Sequence, residues 1–267
     1  MRHSSFRDRL RGIYRWLHAR TSVVPVPGVL TGAKLRILAF GVYLADRPNT
    51  VAHLVRALSS TQSLDVTQQW VAVGKGPADP NVAAVTVERL EAFTPKFVIL
   101  NRLLRRHDWK SFDFLLFCDD DIVVPKGFLE AFISYQVWCD FALAQPARTK
   151  FSHADRKFVR EMKNVRARRT RFVEIGPLVS MRADIAPLLL PFDEASPMGW
   201  GYDFVWPVIA EKAQLRLGVV DATTADHSLR PQAVAYNSTS AGQAMAAYLE
   251  RNPHLTKQEA FTVLDRF

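Results

Sequence analysis

The chain has 267 residues, of which 48% are hydrophobic, 11% aromatic and 23% charged, so it can bury a substantial core. This composition excludes a disordered chain, a collagen-like repeat and a small disulfide-stapled module. Two cysteines, Cys118 and Cys139, lie in apolar stretches, which indicates buried thiols in a reducing compartment and excludes a cysteine metal site. No apolar run reaches the roughly 18 residues of a membrane span, and no signal-peptide pattern is present, so we expect a cytoplasmic protein.

The net charge of +9 is concentrated near the start of the chain. Residues 1–36 hold eight arginine and lysine side chains against the single Asp8, a net charge of +7. Apolar side chains recur there at helical spacing: Phe6, Leu10, Ile13, Tyr14 and Leu17. This pattern predicts a short basic amphipathic helix, and two interpretations stay open. Residues 1–20 bind an anionic membrane surface at its inner face, or they form a solvated helix on their own domain. No nucleic-acid motif follows, so nucleic acid is not expected as a partner.

A linker rich in proline and glycine at residues 25–32 precedes an alternation of strands and helices. Apolar runs predict four strands, at residues 35–44, 70–73, 82–87 and 112–118. Helical periodicity predicts two helices between them, at residues 49–60 and 95–107. This alternation indicates an α/β fold with a parallel sheet.

Three consecutive carboxylates follow the last of these strands: Asp119, Asp120 and Asp121. Adjacent anions repel one another and cannot be buried without a counter-charge, and carboxylate oxygens suit Mg²⁺ or Mn²⁺. In an extended backbone Asp119 and Asp121 point to one side, so this Asp-x-Asp pair predicts a metal-nucleotide site. The alternative is a solvated turn or a helix cap, which the apolar strand before the triplet disfavours.

A second candidate segment is the run Gly199–Asp203, in which two glycines flank a tryptophan. The glycines let the backbone turn closely around the indole ring, and flat rings pack well against the apolar face of a sugar. We therefore expect Trp200 and Tyr202 to bind the acceptor and Asp203 to act as general base on its hydroxyl group. The alternative is a core tryptophan, with Asp203 capping a helix that begins at Phe204.

The third candidate is His227, which lies in a loop after a short predicted strand at residues 219–220. A neutral imidazole is a suitable third ligand for Mn²⁺ beside two carboxylates. A surface histidine is the alternative interpretation. Of the other six histidines, only His153 is a further candidate.

Together these segments resemble a known family. In order and spacing, Phe117–Asp121, Gly199–Asp203 and Val219–His227 resemble the motifs of glycosyltransferases with the GT-A fold. The chain is similar to bacterial proteins of glycosyltransferase family 2, and to a related uncharacterised family, over about residues 35–250. The resemblance implies an α/β fold of GT-A type, with a Rossmann-like, mostly parallel sheet flanked by helices in a single catalytic domain.

The resemblance also implies roles for individual residues. Asp119, Asp121 and His227 would hold Mn²⁺ or Mg²⁺. Five residues would contact the nucleotide sugar: Asp119, Asp120, Lys96, Asn101 and Arg102. The last three lie in a run, residues 95–102, that resembles the Asn-Arg segment of galactosyltransferase-like members of the fold.

One departure from the family pattern concerns the general base. In the galactosyltransferase-like relatives a Gly-Glu-Asp run follows the Gly-Trp-Gly turn, and its aspartate is the base. Here Phe204 stands at that place. Asp203 is the only acid in the turn and stays the candidate, with Asp193 and Glu194 as substitutes.

The sequence thus predicts a metal-dependent glycosyltransferase that moves a sugar, with inversion, from a nucleotide-diphosphate sugar to an acceptor hydroxyl. We expect a saccharide or lipid-linked acceptor, in cell-surface polysaccharide or glycolipid synthesis. A nucleotidyltransferase is the first alternative, and it explains the acidic triplet but not the Gly-Trp-Gly turn. A noncatalytic subunit that binds nucleotide sugars or polysaccharide is the second.

Three regions are predicted. Residues 1–34 form the basic arm and linker, residues 35–250 the GT-A glycosyltransferase domain, and residues 251–267 a C-terminal helical tail.

Overall fold

A computed structural model describes residues 6–153, 156–230 and 238–267 of the chain. Its described strands form a single sheet. In chain order they are β1 (Leu35–Leu44), β2 (Leu64–Val73), β3 (Thr86–Leu90), β4 (Phe114–Asp119), β5 (Phe141–Arg148), β6 (Ala167–Thr170), β7 (Leu178–Arg182), β8 (Arg216–Ala225) and β9 (Val263–Arg266). In space their order is β3-β2-β1-β4-β7-β5-β8-β6-β9.

Helices connect these strands and cover the sheet. In chain order they are α1 (Phe6–His18), α2 (Val51–Ser59), α3 (Lys96–Arg106), α4 (Phe128–Trp138), α5 (Ala186–Leu189), α6 (Tyr202–Lys212), α7 (Ser238–Arg251) and α8 (Lys257–Ala260). Three short 3₁₀ turns lie at Pro80–Val85, Trp109–Ser111 and Lys157–Val159. None of the described helices is long and apolar enough to cross a membrane.

The first half of the sheet is parallel, as predicted. Strand β1 pairs in parallel with both β2 and β4, and β2 pairs in parallel with β3. The bounds of β1 match the predicted residues 35–44 because the run is apolar apart from Arg36 and most of it is buried. Gly41 is required in β1, since a Cβ there would lie 2.2 Å from the ring of Trp70.

The second half of the sheet is mixed. Strand β7 runs antiparallel to β4 and to β5, so β4 and β5 point in the same direction. Strand β5 pairs in parallel with β8, while β6 is antiparallel to both β8 and β9. The α/β fold class is confirmed, and its sheet combines a parallel half with antiparallel additions.

The strand predicted at residues 82–87 is wrong in its position. Residues Pro80–Val85 form a 3₁₀ turn, and strand β3 begins only at Thr86. The side chain of Asp79 accepts a hydrogen bond from the backbone N–H of Asn81, and Pro80 favours the start of a helical turn. These local capping interactions outweigh the β propensity of the valines.

The C-terminal segment also differs from the predicted helical tail at residues 251–267. Helix α7 ends at Arg251, α8 is one short turn, and the chain then forms β9. Thr256 and Glu259 form a capping box that starts α8. Strand β9 covers the outer edge of β6, whose backbone groups would otherwise lack partners in the sheet.

Two apolar layers flank the sheet, because alternate residues of each strand point to opposite faces. On one face Ile37 and Ala39 of β1 pack with α2 and α4. On the other face Leu38 and Phe40 pack with α3 and α6. Helix α3 thereby lies against β1 and β4, with its N-terminus at the edge where the acidic triplet begins.

Candidate functional site

The carboxyl ends of β4, β5 and β8 lie at one edge of the sheet, since these strands share a direction. Asp119 ends β4, Arg148 ends β5, and Ala225 ends β8 just before His227. In open α/β sheets this edge is where ligands bind. The fold therefore brings the acidic triplet and the late histidine to the same edge.

A pair of backbone hydrogen bonds joins the two segments that leave β4 and β8. The N–H of Val123 donates to the carbonyl of Asp226, and the N–H of Asp226 donates to the carbonyl of Val123, both at 2.9 Å. The carboxylate of Asp226 is buried and accepts a hydrogen bond from Thr149 Oγ1 at 2.7 Å. This bridge fixes Asp121 and His227 beside each other.

Asp121 and His227 are in direct contact, with 3.1 Å between Oδ1 and Nε2. The Nδ1 atom of His227 lies 3.1 Å from the carbonyl oxygen of His153, which can only accept, so Nδ1 carries a proton. In a neutral imidazole Nε2 then presents a lone pair to a carboxylate oxygen. Two acceptors at this distance require a proton or a cation between them.

The charges around Asp121 favour its ionised form. Burial alone would raise its pKa, but the hydrogen bond from His227 and the charges of His227, Arg230 and Arg148 outweigh burial and lower the pKa. The carboxylate is therefore held as an anion at the edge of the sheet.

Asp119 is paired with Lys96, which begins α3. The Lys96 Nζ atom lies 2.5 Å from Asp119 Oδ1, and the Asp119 backbone N–H donates to the carbonyl of Pro177 at 2.7 Å. Phe97, the next residue of α3, lies against Gly199, where a Cβ would come 2.3 Å from its ring. The N-terminus of α3 thus joins the acidic triplet to the Gly-Trp-Gly turn.

Asp120 links several segments of the chain, and its predicted contact with the nucleotide sugar stays a prediction. It is buried; Oδ2 accepts from the Leu44 backbone N–H at 2.7 Å, and Oδ1 pairs with the Arg230 guanidinium. Its backbone carbonyl accepts from both N–H and hydroxyl of Thr50, before α2. Burial raises the pKa of Asp120 to about 7 although Arg230 opposes the shift.

The three predicted metal ligands do not form one cluster. Among residues 6–153, 156–230 and 238–267, no three histidine, cysteine, aspartate or glutamate side chains are arranged to hold a metal ion. Asp121 and His227 meet, while Asp119 faces Lys96. Two protein ligands still fit a divalent cation that takes its remaining ligands from substrate phosphates and water.

Two further predicted binding residues belong to the core. Asn101 is 2% exposed, and its side chain both donates to and accepts from the backbone of Phe192. Tyr202 is 1% exposed, and its hydroxyl donates to the carbonyl of Asp193. Both side chains are bonded within the core, and the nucleotide contact of Asn101 and the acceptor contact of Tyr202 stay predictions.

Arg102 points toward the opposite half of the sheet from His227. Its guanidinium lies 3.6 Å from Glu88 on β3, the edge strand. Its predicted nucleotide contact stays a prediction.

The Gly-Trp-Gly turn leads directly into α6. Gly201 has φ +100° and caps the helix, so Asp203 lies in the first turn instead of serving as the cap. The backbone of Trp200 is held by Ser196, whose hydroxyl donates to its carbonyl at 3.0 Å. Trp200 is half-buried, so part of its side chain remains accessible at the surface.

The pKa of the Asp203 carboxyl lies well above its usual range. Burial and then the negative charge of Glu174 raise its pKa to about 7. A carboxyl with a pKa near neutral pH is suited to proton transfer in both directions.

Arg148 was not identified from the sequence, although it ends an apolar strand just as Asp119 does. Its Nη2 atom donates to Glu174 Oε2 at 2.9 Å and to the carbonyl of Gly176. Within the described part of the chain, its buried Nε and Nη1 atoms have no hydrogen-bond partner. Since buried donors are nearly always bonded, these two N–H groups indicate a missing acceptor.

Arg230 was also missed, three residues after His227. Its guanidinium contacts both Asp120 and Asp121. A signal was present in the sequence, because an acidic triplet needs counter-charges and the loop that carries His227 carries this arginine as well.

Comparisons with known proteins support the fold. No protein-family model and no curated protein match the sequence. The crystal structure of GalNAc-T7 with UDP, GalNAc and Mn²⁺ matches 82% of this chain with a TM-score of 0.55 and 12% identity. The crystal structure of S. aureus TarS matches 81% of this chain with a TM-score of 0.51 and 13% identity. Both are GT-A-type glycosyltransferases.

The chain has a GT-A glycosyltransferase fold. The match covers 48% of the GalNAc-T7 chain and 43% of the TarS chain, so the matched region spans less than half the length of either. At these identities the similarity establishes the fold, and the chemistry has to be inferred from the residues at the edge of the sheet.

We predict that Asn101→Ala lowers the free energy of unfolding by about 1–3 kcal/mol, because it leaves buried backbone groups of Phe192 without partners. Urea unfolding measures this change. Asn81→Ala, at an exposed position, is the control and should stay within about 0.5 kcal/mol of the parent. Unchanged stability together with a loss of nucleotide binding would instead support the predicted nucleotide contact of Asn101.

Proposed function

We propose that this protein is a glycosyltransferase that uses a nucleotide-diphosphate sugar as donor. The observation that carries the proposal is the contact of Asp121 with His227 at the carboxyl edge of a GT-A sheet. This contact joins segments more than 100 residues apart in the sequence at the edge where such folds bind ligands.

Asp121 and His227 are the residues that would hold Mn²⁺ or Mg²⁺. The carboxylate is kept ionised, and the carbonyl of His153 orients the imidazole with Nε2 toward Asp121. When bound, such a cation supplies positive charge that stabilises a diphosphate leaving group. Asp119, two residues before Asp121, would contact the ribose or a metal-bound water of the donor. Lys96, which pairs with Asp119, would contact the donor phosphates.

Arg148 adds a second source of positive charge for the diphosphate. Its charge acts on Asp121, and its Nε and Nη1 groups lack partners in the described chain. Each N–H of a guanidinium is a charge-assisted donor that phosphate oxygens accept. Contacts to Glu174 and Gly176 hold the guanidinium in place before a ligand binds.

Asp203 is our candidate for the general base, with Trp200 as the surface against which the acceptor sugar packs. The raised pKa of Asp203 suits removal of a hydroxyl proton as the new bond forms. Attack from the side opposite the leaving group gives inversion. The acceptor that fits this arrangement is a hydroxyl group of a saccharide or of a lipid-linked saccharide.

The purified protein with Mn²⁺ is expected to release nucleoside diphosphate from one of a panel of UDP-, GDP- and CDP-sugars. Thermal stabilisation by each donor identifies the preferred nucleotide base of the donor, since a ligand that binds only the folded state raises the unfolding temperature. Release of pyrophosphate instead would identify a nucleotidyltransferase. Stabilisation without any turnover would identify a noncatalytic binding subunit.

We predict that Asp121→Ala and His227→Ala each weaken Mn²⁺-dependent nucleotide binding by roughly 100-fold or more, since outer partners of metal ligands alone contribute roughly 10- to 100-fold. Isothermal titration calorimetry with and without Mn²⁺ measures this. Asp65→Asn and His254→Ala, at exposed positions, are the matched controls and should bind as the parent does. Parent-like affinity in the Asp121 and His227 variants would remove both residues from the metal site.

We predict that turnover rises with pH through about 7, because the base must lose its proton and burial raises the pKa of Asp203 to about 7. Glu174→Gln should move the midpoint to lower pH, since it removes a negative charge that raises this pKa. Asp203→Asn should lower turnover by roughly 10²- to 10⁴-fold.

Steady-state rates at saturating donor and acceptor, from about pH 5 to about pH 9, measure the midpoint of the pH dependence. This midpoint reports the pKa of the general base. Glu211 pairs with Arg171 on the surface, so Glu211→Gln is the control and should leave the midpoint unchanged. Full turnover in Asp203→Asn would show that another group is the base.

A further inference from the structure

Helix α1 exposes its apolar side chains. Phe6 is 78% exposed, Leu10 41%, Ile13 57% and Leu17 50%. Spacings of four, three and four residues place these side chains in one stripe along the helix. Trp16, which is also exposed, borders the stripe. A continuous apolar face is therefore open to solvent.

The opposite side of α1 contacts the protein. Tyr14 packs edge-on against Phe151, with ring centroids 4.7 Å apart. Arg15 Nη1 lies 3.3 Å from Ser228 Oγ, and the buried His18 ring lies 3.1 Å from the carbonyl oxygen of Thr224. An amphipathic helix that only stabilises its own domain turns its apolar side inward. Helix α1 is oriented the other way round.

This orientation is fixed by the chain that follows α1. The N–H of Val23 donates to the carbonyl of Lys126 at 3.0 Å, and the N–H of Lys126 donates to the carbonyl of Thr21 at 2.9 Å. The N–H of Val26 donates to Ser134 Oγ at 2.8 Å. These bonds tie the chain that follows the helix to the domain. The contacts of Tyr14, Arg15 and His18 would break if the helix turned its apolar side inward.

The charges beside the apolar stripe select the partner. Arginines are numerous between residues 6 and 20, and Asp8 is the only acidic residue there. They are Arg7, Arg9, Arg11, Arg15 and Arg20. The Arg20 guanidinium stacks on the Trp16 ring, 3.7 Å from its centroid, at the border of the stripe. Apolar side chains flanked by arginine and tryptophan match the boundary between acyl chains and anionic headgroups.

A second copy of the chain fits this face less well. Two copies packed through the stripe would bring their arginines together, and like charges in an interface oppose association. An anionic bilayer satisfies both the apolar stripe and the positive charge.

We propose that α1 docks this protein on the surface of an anionic lipid bilayer, with Phe6, Leu10, Ile13 and Leu17 in the acyl boundary. The helix lies in the plane of the interface and does not cross the bilayer. Its inward contacts, to Ser228 and Thr224, flank the segment that carries His227. Docking would therefore hold the candidate site close to the membrane surface.

Vesicle co-sedimentation of the full chain tests this proposal without any donor or acceptor. The full chain should bind phosphatidylcholine vesicles that contain phosphatidylglycerol, bind pure phosphatidylcholine poorly, and release as salt rises. The double variant Ile13→Glu/Leu17→Glu should bind anionic vesicles roughly tenfold or more weakly, because it places two charges in the acyl boundary. Arg7→Gln/Arg9→Gln should weaken binding and reduce its dependence on salt.

Leu188→Glu is the matched control, since Leu188 is exposed to a similar degree in α5, and it should bind vesicles as the parent does. Nucleotide binding should be equal in all these variants, which separates a failure of docking from a failure of the proposed enzymatic function. Anionic-vesicle binding that the Ile13 and Leu17 changes leave intact would overturn the proposal. A change in oligomeric state on analytical ultracentrifugation, without a change in vesicle binding, would assign the face to a second copy.

Discussion

The candidate site depends on the pair of backbone hydrogen bonds between Val123 and Asp226. Strands β4 and β8 are not neighbours in the sheet, so their side chains would not meet through strand pairing alone. The two bonds close this gap just beyond the sheet edge and place Asp121 against His227. Burial of Asp226 and its hydrogen bond from Thr149 hold the bridge in place. A preorganised framework lets side chains hold a ligand without reorganisation.

The acidic triplet is tolerated because positively charged side chains lie against it: Lys96 at Asp119, and Arg230 at both Asp120 and Asp121. The need for counter-charge was correctly inferred from the sequence, but a metal ion was expected to supply all of it. In the structure the chain supplies most of it. Within the triplet, only Asp121 has an acceptor atom, Oδ1, that faces another acceptor, Nε2 of His227. A cation bound between these two atoms would remove their repulsion.

Sequence patterns predicted β1 and β4 of the parallel half well, since near-continuous apolar runs are typical of buried parallel strands. They gave only residues 70–73 of β2 and misplaced β3. They did not reveal that β7 runs antiparallel or that β9 completes the far edge, because apolar periodicity does not specify a strand's partner. The core positions of Asn101 and Tyr202 were not predicted for a related reason: a polar group hydrogen-bonded in the core looks the same in sequence as one facing a ligand. Arg148 was overlooked although its place at a strand end is the same signal that identified Asp119.

Arg148 connects the two halves of the candidate site. Its Nη2 atom is used by Glu174 and Gly176, and Glu174 is the residue whose charge helps raise the pKa of Asp203. Gly176 lies beside the Asp119 and Lys96 pair. The contacts within the chain use Nη2 of the guanidinium. Among the described residues, Nε and Nη1 of the same guanidinium have no partner. An anion could therefore bind Arg148 without displacing Glu174, so the donor side and the proposed base would keep a common fixed support while ligand enters.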